Sequence, residues 1–320
     1  MSHPAESRVI LYYLFTPVID PARMVEDQRR LCSSLELRGR IYIASEGING
    51  TLAGRVDGIE AYKKRLRTIT GFEAVEFKEE SCFEIPFAHL RVKERREIVA
   101  LHYPEPLDPR TEGGRHLSPA EWRRVLESSE DYVLLDVRNN YESGIGHFEG
   151  AIRPDVSNFY EFPRWLEQAG IDKDKKVLMY CTGGIRCEKF SVLLKKQGYS
   201  DVNQLHGGIL NYARQEQGRH FLGKCFVFDD RLSVPVNPSH QETLSCCAIT
   251  GEPCDRYVNC ANMDCNKLFV CSEKGAEIME GCCSEACRSH PNRRPYVAGE
   301  TYRPFRKRHH YFGNSPKQKA

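Results

Sequence analysis

The sequence predicts a multidomain chain of mixed α+β and α/β architecture, and three observations carry that prediction. Strand and helix signals over residues 8–101 run in the order βαββαβ. Short apolar runs then alternate with helical patterns through residues 120–222. Nine of the 14 cysteines fall between 246 and 287, in a region short of long apolar elements. A length of 320 residues suits two or three domains.

The first part reads as follows. Arg8 to Pro17 is a β-branched and aromatic run stopped by proline, a buried-strand signal. Residues 21–38 carry Met24, Val25, Leu31 and Leu35 at helical spacing and end near Gly39. Residues 40–53 read strand, turn, strand, with Asn49-Gly50 as the hairpin signal. Asp57 to Thr68 reads as a second helix with Asp57 as its N-cap. Ala74 to Lys78 and Leu90 to Leu101 read as further strands. This is the split arrangement of ferredoxin-like folds, over residues 1–103. Residues 104–119 hold four prolines and two adjacent glycines, and read as a linker.

A second unit is expected over 120–222. Ser118, Pro119 and Glu121 supply N-cap, N1 and N3 of a helix. Tyr132 to Asp136 reads as a strand buried in a parallel sheet. Phe159 to Gln168 reads as helix, Lys176 to Tyr180 as strand, Arg186 to Gln197 as helix and Val202 to Leu205 as strand, with another helix after Gly207-Gly208. Such alternation means an α/β domain with a parallel sheet. Residues 223–320 form a Cys-rich basic remainder.

Chemistry concentrates in the run Cys181-Thr182-Gly183-Gly184-Ile185-Arg186-Cys187. It lies between a strand and a helix, where open α/β sheets place their ligands. Backbone N–H groups of such a loop converge into an anion-binding concavity, and the helix N-terminus adds positive field. That environment stabilises a thiolate, the nucleophilic form of cysteine. Cys181 is therefore the expected catalytic residue, within an active-site loop of Thr182, Gly183, Gly184, Ile185 and Arg186. Cys187 reads as a second thiol, resolving or simply packed. Arg186 either holds an anion or pairs with a local acid. Asp136 and Arg138 are expected to orient loops, and His147 and His206 to be structural. Glu46 to Thr51 reads as a hairpin rather than a phosphate loop.

Three elements in order resemble the rhodanese domain: Asp136-Val137-Arg138, Gly146-His147-Phe148-Glu149-Gly150-Ala151-Ile152, and the loop from Cys181 to Arg186. Together with the preceding ferredoxin-like domain and the later Asn259 to Asn266 and Gly281 to Cys287 segments, the whole chain resembles the rhodanese-related tRNA uridine hydroxylases. That resemblance implies oxygen-dependent 5-hydroxylation of the wobble uridine, position 34, with the anticodon loop of tRNA as partner and molecular oxygen as co-substrate. It puts the family's active-site cysteine, a persulfide former in rhodanese chemistry, on Cys181. The alternative is a sulfurtransferase carrying persulfide sulfur on that same residue, since a six-residue loop makes a pocket suited to sulfur. No flavin or haem signature is present.

Fourteen cysteines in a chain without a secretory h-region at Met1 to Arg8 point to a reducing cytoplasm, so they read as reactive thiols or metal ligands. Cys260-x4-Cys265 and Cys283-x3-Cys287 are zinc-type pairs, whereas Cys247-x6-Cys254 is too wide. Structural zinc and reduced packed thiols both remain readings, so no residue is assigned as a metal ligand. A net charge of +2 marks no obvious polyanion binder, and no membrane or DNA partner is expected. From Arg288 onward nine Lys/Arg face one acid, and Arg293-Arg294 and Arg303 to Phe312 mix basic and aromatic residues in a way that suits tRNA.

Overall fold

The computed structural model describes residues 7–298. Its first unit is a five-stranded sheet, β1 (Ser7–Phe15), β2 (Arg38–Ala44), β3 (Gly47–Arg55), β4 (Glu76–Cys82) and β5 (Leu90–Glu94), in the order β4-β1-β3-β2-β5. All neighbours are antiparallel except β2 and β5. Helices α1 (Pro21–Ser34) and α2 (Val56–Arg67) cover one face. On α1, Met24, Val25, Gln28 and Cys32 make the buried stripe. β1 alternates, with Ile10 and Tyr12 fully buried in this core. Its other face, Leu11 and Tyr13, is also apolar, and it meets the second unit.

Two local expectations are corrected. The β2–β3 turn is Ser45-Glu46, with Ala44 paired to Gly47, whereas Asn49 and Gly50 lie inside β3. Gly50 cannot carry a side chain because its Cβ would sit 2.3 Å from the Tyr12 ring. It is glycine for packing, and mimics a turn signal. The second helix is capped at Arg55, and Asp57 lies in its first turn, where its Oδ1 accepts from the Gly58 N–H at 2.9 Å. An acid there favours the helix dipole without being the cap.

In the segment 104–119, α3 (Pro109–Glu112) is one helical turn and β6 (Arg115–Leu117) is an edge strand of the second sheet. That sheet is parallel, in the order β6-β10-β9-β7, with β7 (Tyr132–Asp136), β9 (Lys176–Tyr180) and β10 (Asp201–Leu205). Val177 to Tyr180 are fully buried, as a central strand covered on both faces must be. Helices α4 (Pro119–Leu126), α5 (Asn140–Ser143), α6 (Phe162–Gln168), α7 (Ile185–Lys196) and α8 (Gly208–Glu216) surround it. The capping box of α4 forms as expected between Ser118 and Glu121. The expected helix from Phe159 begins with a 3₁₀ turn, Phe159–Glu161.

Strand β8 (Gly146–Phe148) pairs with β11 (Phe221–Phe226), which pairs with β12 (Ser233–Pro235). The Cys-rich part holds a short hairpin, β13 (Tyr257–Asn259) with β14 (Leu268–Val270), then α9 (Glu273–Ile278) and α10 (Glu285–Arg288). Among the described residues no helix is long and apolar enough to cross a membrane. The basic and aromatic run Arg303 to Phe312 lies outside the described residues.

Candidate active site between two sheets

The loop 181–184 leaves β9 and turns into α7. Two glycines let another part of the chain press on it. A Cβ at Gly183 would come within 2.5 Å of Leu11 Cδ2. Gly184, the N-cap, has φ +102, and a Cβ there would meet the Tyr13 hydroxyl at 2.7 Å. The second face of β1 thus lies directly over the loop.

Cys181 is 1% exposed, and its Sγ accepts from the Gly184 N–H at 3.1 Å. Burial opposes its ionisation. The Cys187 thiol, the Arg186 guanidinium and the N–H groups of Arg186 and Cys187 outweigh burial and hold the Cys181 pKa down to about 5. Cys187 moves the opposite way: burial and the neighbouring Cys181 sulfur push its thiol well up, so it stays protonated and donates. The two sulfurs have unlike protonation states.

Of the two readings of Arg186, the structure shows pairing with an acid. Its guanidinium grips the fully buried Glu142 of α5, with Nη2 donating to Oε2 at 2.7 Å and Nη1 to Oε1. The Thr182 hydroxyl donates to Glu142 Oε2 at 3.3 Å. Arg186 therefore lends Cys181 a positive field while already satisfied by a bidentate partner. Asp136 and Arg138 form a second buried pair, at 2.6 Å, which also receives the Tyr180 hydroxyl and reaches the Gly146 carbonyl. It ties β7, β9 and β8 together below the loop. His147 Nδ1 lies 3.0 Å from the Ser143 carbonyl, and His206 is paired with Glu76 at 3.0 Å.

Above the loop opens a cavity of about 600 Å³. Cys181, Thr182, Gly183, Ile185 and Arg186 form its floor. Its walls include Tyr13, Arg40, Tyr42, Arg95, Tyr160 and Phe228. Arg95 lies over the Tyr42 ring at 5.2 Å, Arg186 over Phe228 at 5.8 Å, and His102 stacks on Tyr160 at 5.5 Å. Sequence reasoning did not find these wall residues, which come from both units and, for Phe228, from the stretch just after β11. The one available signal was a β1 strand apolar on both faces.

In the remaining part, Cys260, Cys265, Cys283 and Cys287 come together, all four Sγ within 4.8 Å of one another, a cluster that could hold a metal ion.

An ionised cysteine in a loop between a parallel strand and a helix, beneath a second sheet, defines a rhodanese-fold protein with an added N-terminal domain. The UPF0176 acylphosphatase like domain matches residues 7–98, the rhodanese-like domain 118–215 and the rhodanase C-terminal domain 222–288. A protein of Bacillus mycoides named tRNA uridine(34) hydroxylase is 43% identical over 92% of this chain and 92% of its own length. One of the same name from Bacillus licheniformis is 44% identical over 89% of each chain. The chain belongs to the tRNA uridine(34) hydroxylase family. Among solved structures, a rhodanese-like domain protein from Staphylococcus aureus aligns over 31% of this chain and 90% of its own, at 22% identity and a TM-score of 0.27.

Proposed function

We propose that the chain hydroxylates C5 of the wobble uridine, position 34, of tRNA, with molecular oxygen as co-substrate, in the cavity above Cys181. One observation carries the reading: a thiolate with a pKa of about 5 sits at the floor of a cavity whose walls offer aromatic faces and arginines. Unpaired bases of an RNA loop can be splayed out, stacked on aromatic rings and held by cations at their phosphates. The anticodon loop presents such a base. Tyr42 and Tyr160 suit its faces, and Arg40 and Arg95 suit the flanking phosphates. This reading puts the chain's work in the cytoplasm, with tRNA.

The thiolate of Cys181 adds to C6 of the uracil ring, which makes C5 nucleophilic toward the oxidant. C5 bonds to one atom of molecular oxygen, and an external two-electron donor, a pair of thiols that ends as a disulfide, cleaves the O–O bond and releases the second atom as water. Loss of the C5 proton and departure of the Cys181 thiolate then restore the C5–C6 double bond. Cys187 holds its proton on the Cys181 sulfur through the resting state. Glu142 and Arg186 keep the loop in place.

The test is nucleoside mass spectrometry of tRNA from cells lacking this protein, complemented with wild-type or Cys181→Ser chain. The 5-hydroxyuridine-derived nucleosides should return only with the wild type. Their return with Cys181→Ser overturns the reading. Loss of a thiolated nucleoside instead favours the sulfurtransferase.

A further inference from the structure

We propose that Cys260, Cys265, Cys283 and Cys287 bind one zinc ion as a tetrathiolate, and that this ion holds together the module of residues 245–298.

The geometry fits an ion that is not a disulfide's substitute. Cys265 and Cys283 Sγ lie 3.8 Å apart, and so do Cys283 and Cys287. A disulfide needs about 2.05 Å. Four sulfurs each about 2.3 Å from a tetrahedral zinc stand about 3.8 Å from one another. Two edges of that tetrahedron are thus at the required length, and all four Sγ remain within 4.8 Å. Among the described residues this is the one group of three or more His, Cys, Asp or Glu so disposed.

The surroundings match a bound dianionic centre. The Cys283 N–H donates to Cys260 Sγ at 3.4 Å, and Asn262 Nδ2 to Cys287 Sγ at 3.4 Å. Such donors orient thiolate ligands and offset their charge. Arg294 places its guanidinium on the carbonyls of Asn259 and Cys260, at 2.7 and 2.6 Å. Thiolate-only tetrahedral sites select zinc among the metals commonly at hand, with iron the main rival.

The module also needs such a centre. Its strands are three residues long, its helices six and four, and cysteines make up much of its core. A piece of this size buries too little apolar surface to hold itself. A neighbouring set of thiols shows the contrast. Cys247 Sγ also accepts from the N–H groups of Ile249, Thr250 and Ser272 and from the Ser272 hydroxyl, at 3.3–3.4 Å, but among the described residues it gathers no set of three or more ligand atoms around it. Gly275 packs against that sulfur and Cys271, and a Cβ there would come within 2.7 Å of the one and 3.1 Å of the other.

The full-length protein, purified with no added chelator, is analysed for metals by mass spectrometry. One zinc per chain is expected. Absence of metal, or iron in its place, overturns the proposal. Cobalt exchanged into the wild-type protein should give the absorption of a tetrahedral thiolate site, and an octahedral spectrum overturns it. Cys283→Ser should lose the ion while Cys247→Ser keeps it; equal loss in both overturns the assignment to these four ligands. Should Cys283→Ser fail to fold, stoichiometry and the cobalt spectrum of the wild type still decide. Chelation of the wild type should open residues 245–298 to protease before the rest of the chain, and uniform protection overturns the structural role.

Discussion

The hydroxyl of Tyr13 donates to Oε1 of Glu188 at 2.8 Å, and so joins the first strand of the N-terminal sheet to the helix that starts at the Cys181 loop. Glu188 sits among three partners, for His116 Nε2 lies 3.0 Å from the same oxygen and Gln204 Nε2 donates to the other at 3.1 Å. Burial pushes the Glu188 carboxyl up, but His116, Tyr13 and Gln204 outweigh it and hold it ionised. A buried carboxylate with one donor removed keeps part of its desolvation cost. Tyr13→Phe should lower stability by about 1.5–3 kcal/mol, the range for a hydrogen bond to a charged group. Urea unfolding of both proteins checks this, and superimposable curves refute it.

The reactivity of Cys181 should persist far below the range of an ordinary thiol. Its thiolate forms at about 5 when folded, against 9.0 for a free cysteine, so folding favours loss of that proton. The sign follows: the stability this group contributes is complete above pH 9, shrinks as pH falls, and is gone once pH passes below about 5. Alkylation at Cys181, followed by peptide mass spectrometry, should therefore proceed at a steady rate from neutral pH down to about 6 and fall away below 5. A midpoint near 9 would show an ordinary thiol.

How far this was legible in the sequence depends on the range of each interaction. The strand and helix around Cys181 and the α4 capping box are local, and residues 177–180 and Ser118-Pro119-Glu121 state them outright. The loop's glycines gave away its shape as well. Asn49-Gly50 misled, because a glycine demanded by the Tyr12 ring looks the same in a sequence as one demanded by a turn. Glu142 was missed as the partner of Arg186, since 44 residues separate them and a buried acid has no periodicity of its own. The cavity walls were hidden for the same reason. They exist only once β1 is laid over the loop, and only the apolar character of Leu11 and Tyr13 hinted that the strand's second face had a partner. The cysteine pairs were readable by spacing, but their convergence needed the hairpin of β13 and β14.

Arg186 should act on Cys181 through its charge. Arg186→Met removes the guanidinium beside the sulfur and leaves Glu142 buried without its counter-ion. Both changes disfavour a thiolate, so the Cys181 pKa should rise by about one unit or more. The unpaired carboxylate should also cost about 3 kcal/mol. Glu142→Gln separates these effects, because it retains the positive field while weakening the pair. The pH dependence of alkylation in the two variants reads the first effect, and denaturant unfolding the second. A Cys181 midpoint unmoved in Arg186→Met would mean that the loop amides and Cys187 alone stabilise the thiolate.

The walls of the cavity should bind the base, and leave the chemistry to the floor. Tyr42 lies on β2 with Arg95 over its ring at 5.2 Å, so a cation covers one face of the ring, and in the proposed function the other face stacks on a base. Tyr42→Leu keeps an apolar residue on the strand and removes the π surface. Loss of one base–aromatic stack is worth about 1–3 kcal/mol, which corresponds to about a 5- to 150-fold rise in KM for an anticodon stem-loop RNA. kcat at saturating RNA should change little, since Tyr42 lines the wall of the cavity while Cys181 lies in the loop at its floor. Steady-state kinetics on the stem-loop separate the two. A fall in kcat with KM unchanged would place Tyr42 in the reacting geometry, and no change in either would move the base to another wall.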